Sequence, residues 1–266
     1  MKKLHFEYLM HVEYEKTVIE GYYKVKCIPV DNDRQKIDNV SISIHPSGDY
    51  SRGTDSFGNQ TIYGSIYEEH SCFDIVVKGD SVTGILDSEP EIHEEQLYMY
   101  RHPGKLTSPG ECIRAYYNKI KPEKECDSYQ WAISVMHRIY ADFVYEKNVT
   151  GINTTAEEAL SLGKGVCQDY AHIMAALCRL NGLPARYVSG MLIGEGFSHA
   201  WVEVFCNGRW YGFDPTNDVL VTDSHIKIGV GRDAYDCQIN RGIIKGGGSQ
   251  TQTVEVKVNE IEEEEI

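Results

Sequence analysis

With 41% hydrophobic and 25% charged residues, the 266-residue chain lies in the ordinary range of folded globular proteins, which excludes the disordered and fibrous classes. Its formal net charge of −14 opposes encounter with nucleic acid or an anionic membrane surface, since both are polyanions. No segment approaches the roughly eighteen consecutive apolar residues of a membrane-spanning helix, and Met1-Lys2-Lys3 runs directly into the polar string His5-Phe6-Glu7-Tyr8, so a cytoplasmic protein is expected.

From Leu4 to about Leu86 the sequence reads as short strands broken by turns, among them Tyr22–Ile28, the strictly alternating Val40–Ile44, Thr61–Tyr63 and Cys72–Val77. Residues 1–88 are therefore expected to form an antiparallel β-domain, and the charged, proline-containing Asp87–Glu91 its exit. Residues 89–266 are assigned to a second, α+β domain that includes a C-terminal strand tail. Trp131, Val135, Ile139 and Phe143 recur every fourth position, as on the buried stripe of a helix. Thr155 and Glu158 have the spacing of a reciprocal helix cap, and a short helix ends near Gly163. A second amphipathic helix follows, with Ile173, Met174, Leu177 and Leu180 on its stripe and Asn181-Gly182 as its stop.

Cys167 stands at the start of that second helix. A helix N-terminus supplies partial positive charge and unpaired N–H groups, which favour a thiolate over a thiol. Cys178, one stripe further on beside Leu177, reads instead as an inert core cysteine. The eight cysteines show no Cys-x-x-Cys pair, so free thiols are expected over disulfides or a structural zinc site.

Downstream, Arg186–Leu192 and Ala200–Phe205 read as strands, and Asn207-Gly208 is a strong two-residue hairpin signal. That turn pairs Cys206 with Arg209 and, continuing outward, sets Trp201 opposite Asp214. Side chains alternate along a strand, so His199 then lies on the same face, diagonal to Asp214 and within reach of its carboxylate. A carboxylate that accepts one ring N–H leaves the other imidazole nitrogen for a thiol, which makes Cys167, His199 and Asp214 the candidate nucleophile, proton carrier and orienting residue. Thr253–Val258 alternates once more before the acidic Glu262–Glu265 run.

Four blocks in order, Gly165–His172, Pro184–Gly190, Ser198–Glu203 and Phe213–Asn217, resemble the bacterial transglutaminase-like family. Phe57-Gly58-Asn59 is similar to its N-terminal region, and Gly231-Arg232-Asp233 and Gly246-Gly247-Gly248 to its C-terminal pattern. The resemblance implies a papain-like α+β core preceded by a β-domain, with Cys167, His199 and Asp214 on the family's cysteine, histidine and aspartate positions. Met191 and Ala234 depart from the family pattern without touching these three residues. Asp169 and His172, three positions apart on one helix, are expected to cap it or pair with each other.

Other motifs fail on spacing. Asp31-Asn32-Asp33 lacks the glycine and glutamate of a calcium loop, since Lys36 and Ile42 stand at those positions. Gly163-Lys164-Gly165 and Gly246-Gly247-Gly248 lack the pattern of a phosphate loop. The expected chemistry is attack by Cys167 on a peptide or amide carbonyl of a peptide or protein substrate, through a thioester and without cofactor or metal. Hydrolysis is preferred, because the branch resembled is usually regarded as one of cysteine proteases. Acyl transfer to an amine and a non-catalytic peptide-binding scaffold are the alternatives.

Overall fold

A 24-residue strand, β1 (Lys2–Val25), organises the first half of the computed structural model, which describes residues 1–85, 94–122 and 126–261. The expected connection at Asp87–Glu91 and the acidic run Glu262–Glu265 fall outside the described residues. Leu4, Phe6, Tyr8, Met10 and Val12 alternate inward along β1 and are buried almost completely. After Glu13 the register shifts, and the strand continues into a second set of partners. The short strands expected near the N-terminus are thus portions of longer ones, and β1 runs on past Glu15–Thr17, where three consecutive exposed residues interrupt its alternation and the register to β5 shifts.

Then follow β2 (Gln35–His45), β3 (Tyr50–Thr54), β4 (Gln60–Ile66) and β5 (His70–Thr83). The helical section contains α1 (Glu94–Arg101), α2 (Glu111–Ile120), α3 (Ser128–Asp142), β6 (Val144–Tyr145), α4 (Ala156–Leu162), β7 (Lys164–Gly165) and α5 (Cys167–Leu180). The remainder is β8 (Ala185–Leu192), β9 (Gly194–Gly196), β10 (His199–Cys206), β11 (Arg209–Asp214), β12 (Val219–Leu220), β13 (His225–Gly231), β14 (Asn240–Gly246) and β15 (Gln250–Glu260).

Two main sheets result. The larger runs β2-β5-β1-β15-β9, with β14 and β4 also paired to β1 and β3 paired to β4. The C-terminal strands β14 and β15, grouped by sequence with the second half of the chain, make their backbone hydrogen bonds to β1, from Leu4↔Glu260 through Tyr14↔Gln250 and from Val18↔Gly246 through Val25↔Asn240. The smaller sheet runs β12-β11-β10-β8-β13, and α5 packs on its β8 and β10 strands. Between that helix layer and sheet lies a core of Trp131, Val135, Ile139, Met174, Leu177, Val202 and Phe213. The arrangement is α+β, with an antiparallel sheet leading into a helix-on-sheet core.

The local signals formed as their chemistry dictates. Asp127 caps α3 by accepting the backbone N–H groups of Tyr129 and Gln130 at 3.0 and 3.1 Å. Thr155 and Glu158 form the reciprocal cap of α4, and Gly163 ends it in the left-handed conformation. Asn207 and Gly208 both have positive φ, as a two-residue hairpin turn of this hand requires, and the register runs from Cys206↔Arg209 to Val202↔Phe213.

Among the described residues β13 is an edge strand, paired only to β8. Two amide side chains from the first half of the chain occupy its open side. Gln35 accepts from the Lys227 N–H at 2.8 Å and donates to the Lys227 carbonyl at 2.8 Å. Asn59 accepts from the Val230 N–H at 2.7 Å and donates to its carbonyl at 2.8 Å. Both amides are buried, so each replaces a missing strand partner where water has little access.

Candidate active site

The site is assembled from the start of α5 and the ends of β10, β11 and β13. Cys167 is the first residue of α5, where the N–H groups of the opening turn have no partner within the helix and their partial positive charge faces the sulfur. Asp169 secures this end by accepting the Val166 N–H at 2.8 Å and the Thr150 hydroxyl at 2.6 Å. Gly165 makes room for it, because a Cβ there would meet the Asp169 carboxylate at 2.4 Å. Asp169 therefore caps its helix as expected, but its partner is not His172. The His172 ring, fully buried, accepts the Ala234 N–H at Nε2 across 3.0 Å, and its burial lowers its pKa to about 3. It serves as a neutral acceptor fixing the segment after β13.

His199 opens β10 opposite Gly190 of β8. A Cβ at Gly190 would meet the Trp201 ring at 2.3 Å and the Ile226 carbonyl at 2.4 Å, so glycine lets Trp201 lie across β8 on the same face as His199. Nε2 of His199 is 2.7 Å from Oδ2 of Asp214, the diagonal contact that the hairpin register implied. With Nε2 so engaged, Nδ1 is the ring atom left for the sulfur. Burial opposes a charge on His199, but the hydrogen bond to Asp214 and the neighbouring Cys167 sulfur outweigh it, raising its pKa to about 10. The imidazole thus holds its proton through neutral pH beside the Cys167 sulfur.

Asp214 is wholly buried and heavily supported. Its Oδ1 accepts the N–H groups of Thr216 at 3.0 Å and Asn217 at 3.3 Å, closing a turn at Asp214-Pro215. Its Oδ2 accepts from His199, from the Asn217 side chain at 2.7 Å, and from Nε2 of His225 at 3.4 Å. Burial opposes the carboxylate charge, yet the hydrogen bonds from His199 and His225 hold the carboxyl well below the usual range.

Asn217 and His225 complete the site and were not singled out as site residues from the sequence. Asn217 had a signal, since Asp-Pro-Thr-Asn is turn chemistry that folds residue 217 back on residue 214. His225 had none, because it arrives on a strand that joins the sheet from the far side of β8.

His199, Asp214 and His225 offer three donor atoms within 4.8 Å of one another, the one cluster of metal-ligand type among the described residues. Both imidazoles direct Nε2 at the same carboxylate oxygen, so an ion would have to replace these hydrogen bonds.

Cys167 is partly exposed. Tyr145 pairs with Gly165, two residues before Cys167, and is half exposed. Phe197, two residues before His199, is 65% exposed, with the Lys147 ammonium 5.1 Å from its ring centre. The other cysteines differ in setting: all eight are free, and burial pushes Cys27 up to about 12, Cys206 to about 11, and Cys178 and Cys237 well above the ordinary thiol range.

Residues 109–215 match the model of the transglutaminase-like superfamily, and residues 4–80 match the bacterial transglutaminase-like N-terminal region. An uncharacterized protein of Mycobacterium tuberculosis is 30% identical over 92% of this chain and 88% of its own length. One from Mycobacterium leprae is 27% identical over 93% and 95%. A crystal structure from Cytophaga hutchinsonii, described as "a Putative Cysteine Protease", superposes with a TM-score of 0.82 at 19% identity, covering 100% of this chain and 92% of that one. The chain therefore belongs to the bacterial transglutaminase-like family and has its fold. No helix among the described residues is long and apolar enough to cross a membrane.

Proposed function

We propose that the chain is a cysteine hydrolase of peptide or amide bonds, working through a Cys167–His199–Asp214 triad. The observation that carries this reading is the 2.7 Å bond from His199 to a buried, five-times hydrogen-bonded Asp214, beside a cysteine at a helix N-terminus. In the proposed reaction the Cys167 sulfur bonds to the carbonyl carbon, and the π electrons move to oxygen. Collapse of that intermediate breaks the C–N bond as His199 gives its proton to the leaving amine, which leaves a thioester. His199 then takes a proton from water as the water oxygen attacks, and the sulfur departs as thiolate. The Cys167 N–H, at the open end of α5, supports the reading as one donor to the oxyanion.

Hydrolysis is preferred over transfer to an amine on the likeness to a structure described as "a Putative Cysteine Protease". The eight free thiols favour a reducing compartment, and we place the activity in the cytoplasm. The deciding assay incubates a glutamine-containing peptide with the protein, with and without a primary amine, and follows ammonia, cleavage and amine incorporation. Hydrolysis lost in Cys167→Ala is the expected result. Amine incorporation outpacing hydrolysis would reassign the chain to acyl transfer, and turnover surviving in Cys167→Ala would remove the nucleophile.

A further inference from the structure

His225 is a buried histidine that the proposed mechanism does not use. It begins β13, its Nε2 lies 3.4 Å from Oδ2 of Asp214, and its ring meets Trp201 edge-on at 5.2 Å between centroids. The His199 ring is 6.1 Å away. Nδ1 of His225 is buried without a partner among the described residues. A proton at Nδ1 would have no acceptor, so the surroundings favour the tautomer that carries hydrogen on Nε2 and donates it to Asp214.

The strand bearing this histidine is fixed from outside the catalytic sheet. Gln35 holds the backbone of Lys227, two residues after His225, and Asn59 holds Val230. On the other side of the histidine, Thr83 at the end of β5 donates to the Asp223 carbonyl at 2.5 Å. The first half of the chain therefore holds the backbone on both sides of residue 225, at Asp223 before β13 and at Lys227 and Val230 within it.

We propose that His225 is a fourth, positioning residue of the site, donating from Nε2 to Asp214, and that the N-terminal sheet sets Asp214 and His199 in place by holding the strand that carries it. The inference rests on the Cys167–His199–Asp214 reading and gives the N-terminal sheet a role in it. Removing the donor takes one of the five hydrogen bonds from Asp214 and weakens its hold on the His199 ring, so the effect is read at the Cys167 sulfur.

The test measures the rate of Cys167 carboxamidomethylation by iodoacetamide at pH 6.5 in the full chain, located by peptide mapping. His225→Leu is expected to slow it about tenfold, the low end for a hydrogen bond to a charged group because this one is long. His225→Gln, whose amide nitrogen can stand where Nε2 stood, is expected to recover most of the rate. Gln35→Leu/Asn59→Leu is expected to slow it as well, with faster amide exchange at Lys227 and Val230. Equal rates for wild type and His225→Leu, or equal losses for Leu and Gln, would overturn the inference, the second by reducing the residue to a packing role.

A measurement on the wild-type protein covers the case in which the leucine variant does not fold. Two-bond ¹H–¹⁵N correlations of the imidazoles are expected to show His225 protonated at Nε2, and protonation at Nδ1 alone contradicts the proposed donor. If Cys167 is unreactive in the wild type and unaffected by His199→Ala, the underlying reading fails. If His199→Ala abolishes reactivity and His225→Leu does not, only the inference fails.

Discussion

Asn59, in the turn between β3 and β4, spends its side-chain amide on the backbone of Val230, 171 residues away, accepting its N–H and donating to its carbonyl. The turn is built to present that amide. Asp55 accepts the N–H groups of Phe57 and Asn59 and is itself paired with Lys26 at 2.5 Å, while Gly58 takes positive φ. Through this contact the first half of the chain reaches the strand that borders the site.

Asn59→Leu keeps the approximate volume but leaves the Val230 N–H and carbonyl buried without partners. A loss of about 2–4 kcal/mol is expected, from about 1–2 kcal/mol for each orphaned group. Urea denaturation with an unchanged slope measures it. A loss below about 0.5 kcal/mol would show that water replaces the amide freely.

Glu203 is buried with Arg186 and Lys227 each at 2.6 Å, and Arg186 also stacks over Trp210 at 4.2 Å. Burial opposes the carboxylate charge, but Arg186 and Lys227 outweigh it and lower its pKa to about 2. Glu203→Leu strands two cations on the sheet and is expected to cost about 3–5 kcal/mol. The depressed pKa makes this contribution present above the unfolded glutamate value of about 4.3 and lost as pH falls toward about 2. Denaturation of wild type and variant from pH 7 to pH 2 is expected to show their difference shrinking below about pH 4.

The His199–Asp214 pair gives the opposite dependence at high pH. With the folded His199 pKa raised to about 10, its contribution is fully present below the unfolded value of about 6.5. It is lost progressively as pH rises from there through about 10. The stability difference between wild type and His199→Gln is therefore expected to narrow across that range. At the acid end Asp214, whose pKa is depressed, contributes above the unfolded aspartate value of about 3.9 and loses that contribution at lower pH. Asp214→Asn is expected to flatten the acid limb. A difference between wild type and His199→Gln that widens from pH 6.5 to 10 would contradict the pairing.

How much was legible in the sequence follows from how local each signal is. The Asn207-Gly208 turn fixes its own register, so the meeting of His199 and Asp214, eight or fewer residues from the turn on either side, was available by counting. The caps at Thr155 and Asp169 and the placement of Cys167 at a helix start are equally local. The pairing of β14 and β15 with β1 is not, because alternation marks a strand without naming its partner, and the partner is more than 200 residues distant. Gln35, Asn59 and His225 were invisible as site residues for the same reason: their contacts depend on how two sheets meet, and nothing near them in the chain encodes it. His172 looked like a partner of Asp169 by helical spacing, but the Ala234 N–H took its ring nitrogen instead.

The proposed role of Cys167 as the nucleophile, activated by His199 and Asp214, is tested most directly by competitive alkylation. Limiting iodoacetamide is added to the folded protein between pH 5 and 9, and each of the eight cysteines is quantified by mass spectrometry. The account predicts that Cys167 takes most of the label at pH 6.5, that the buried Cys27, Cys178, Cys206 and Cys237 take almost none, and that His199→Ala erases the preference. Labelling of Cys167 at pH 6.5 no faster than the exposed Cys126, or a preference that survives His199→Ala, would contradict it.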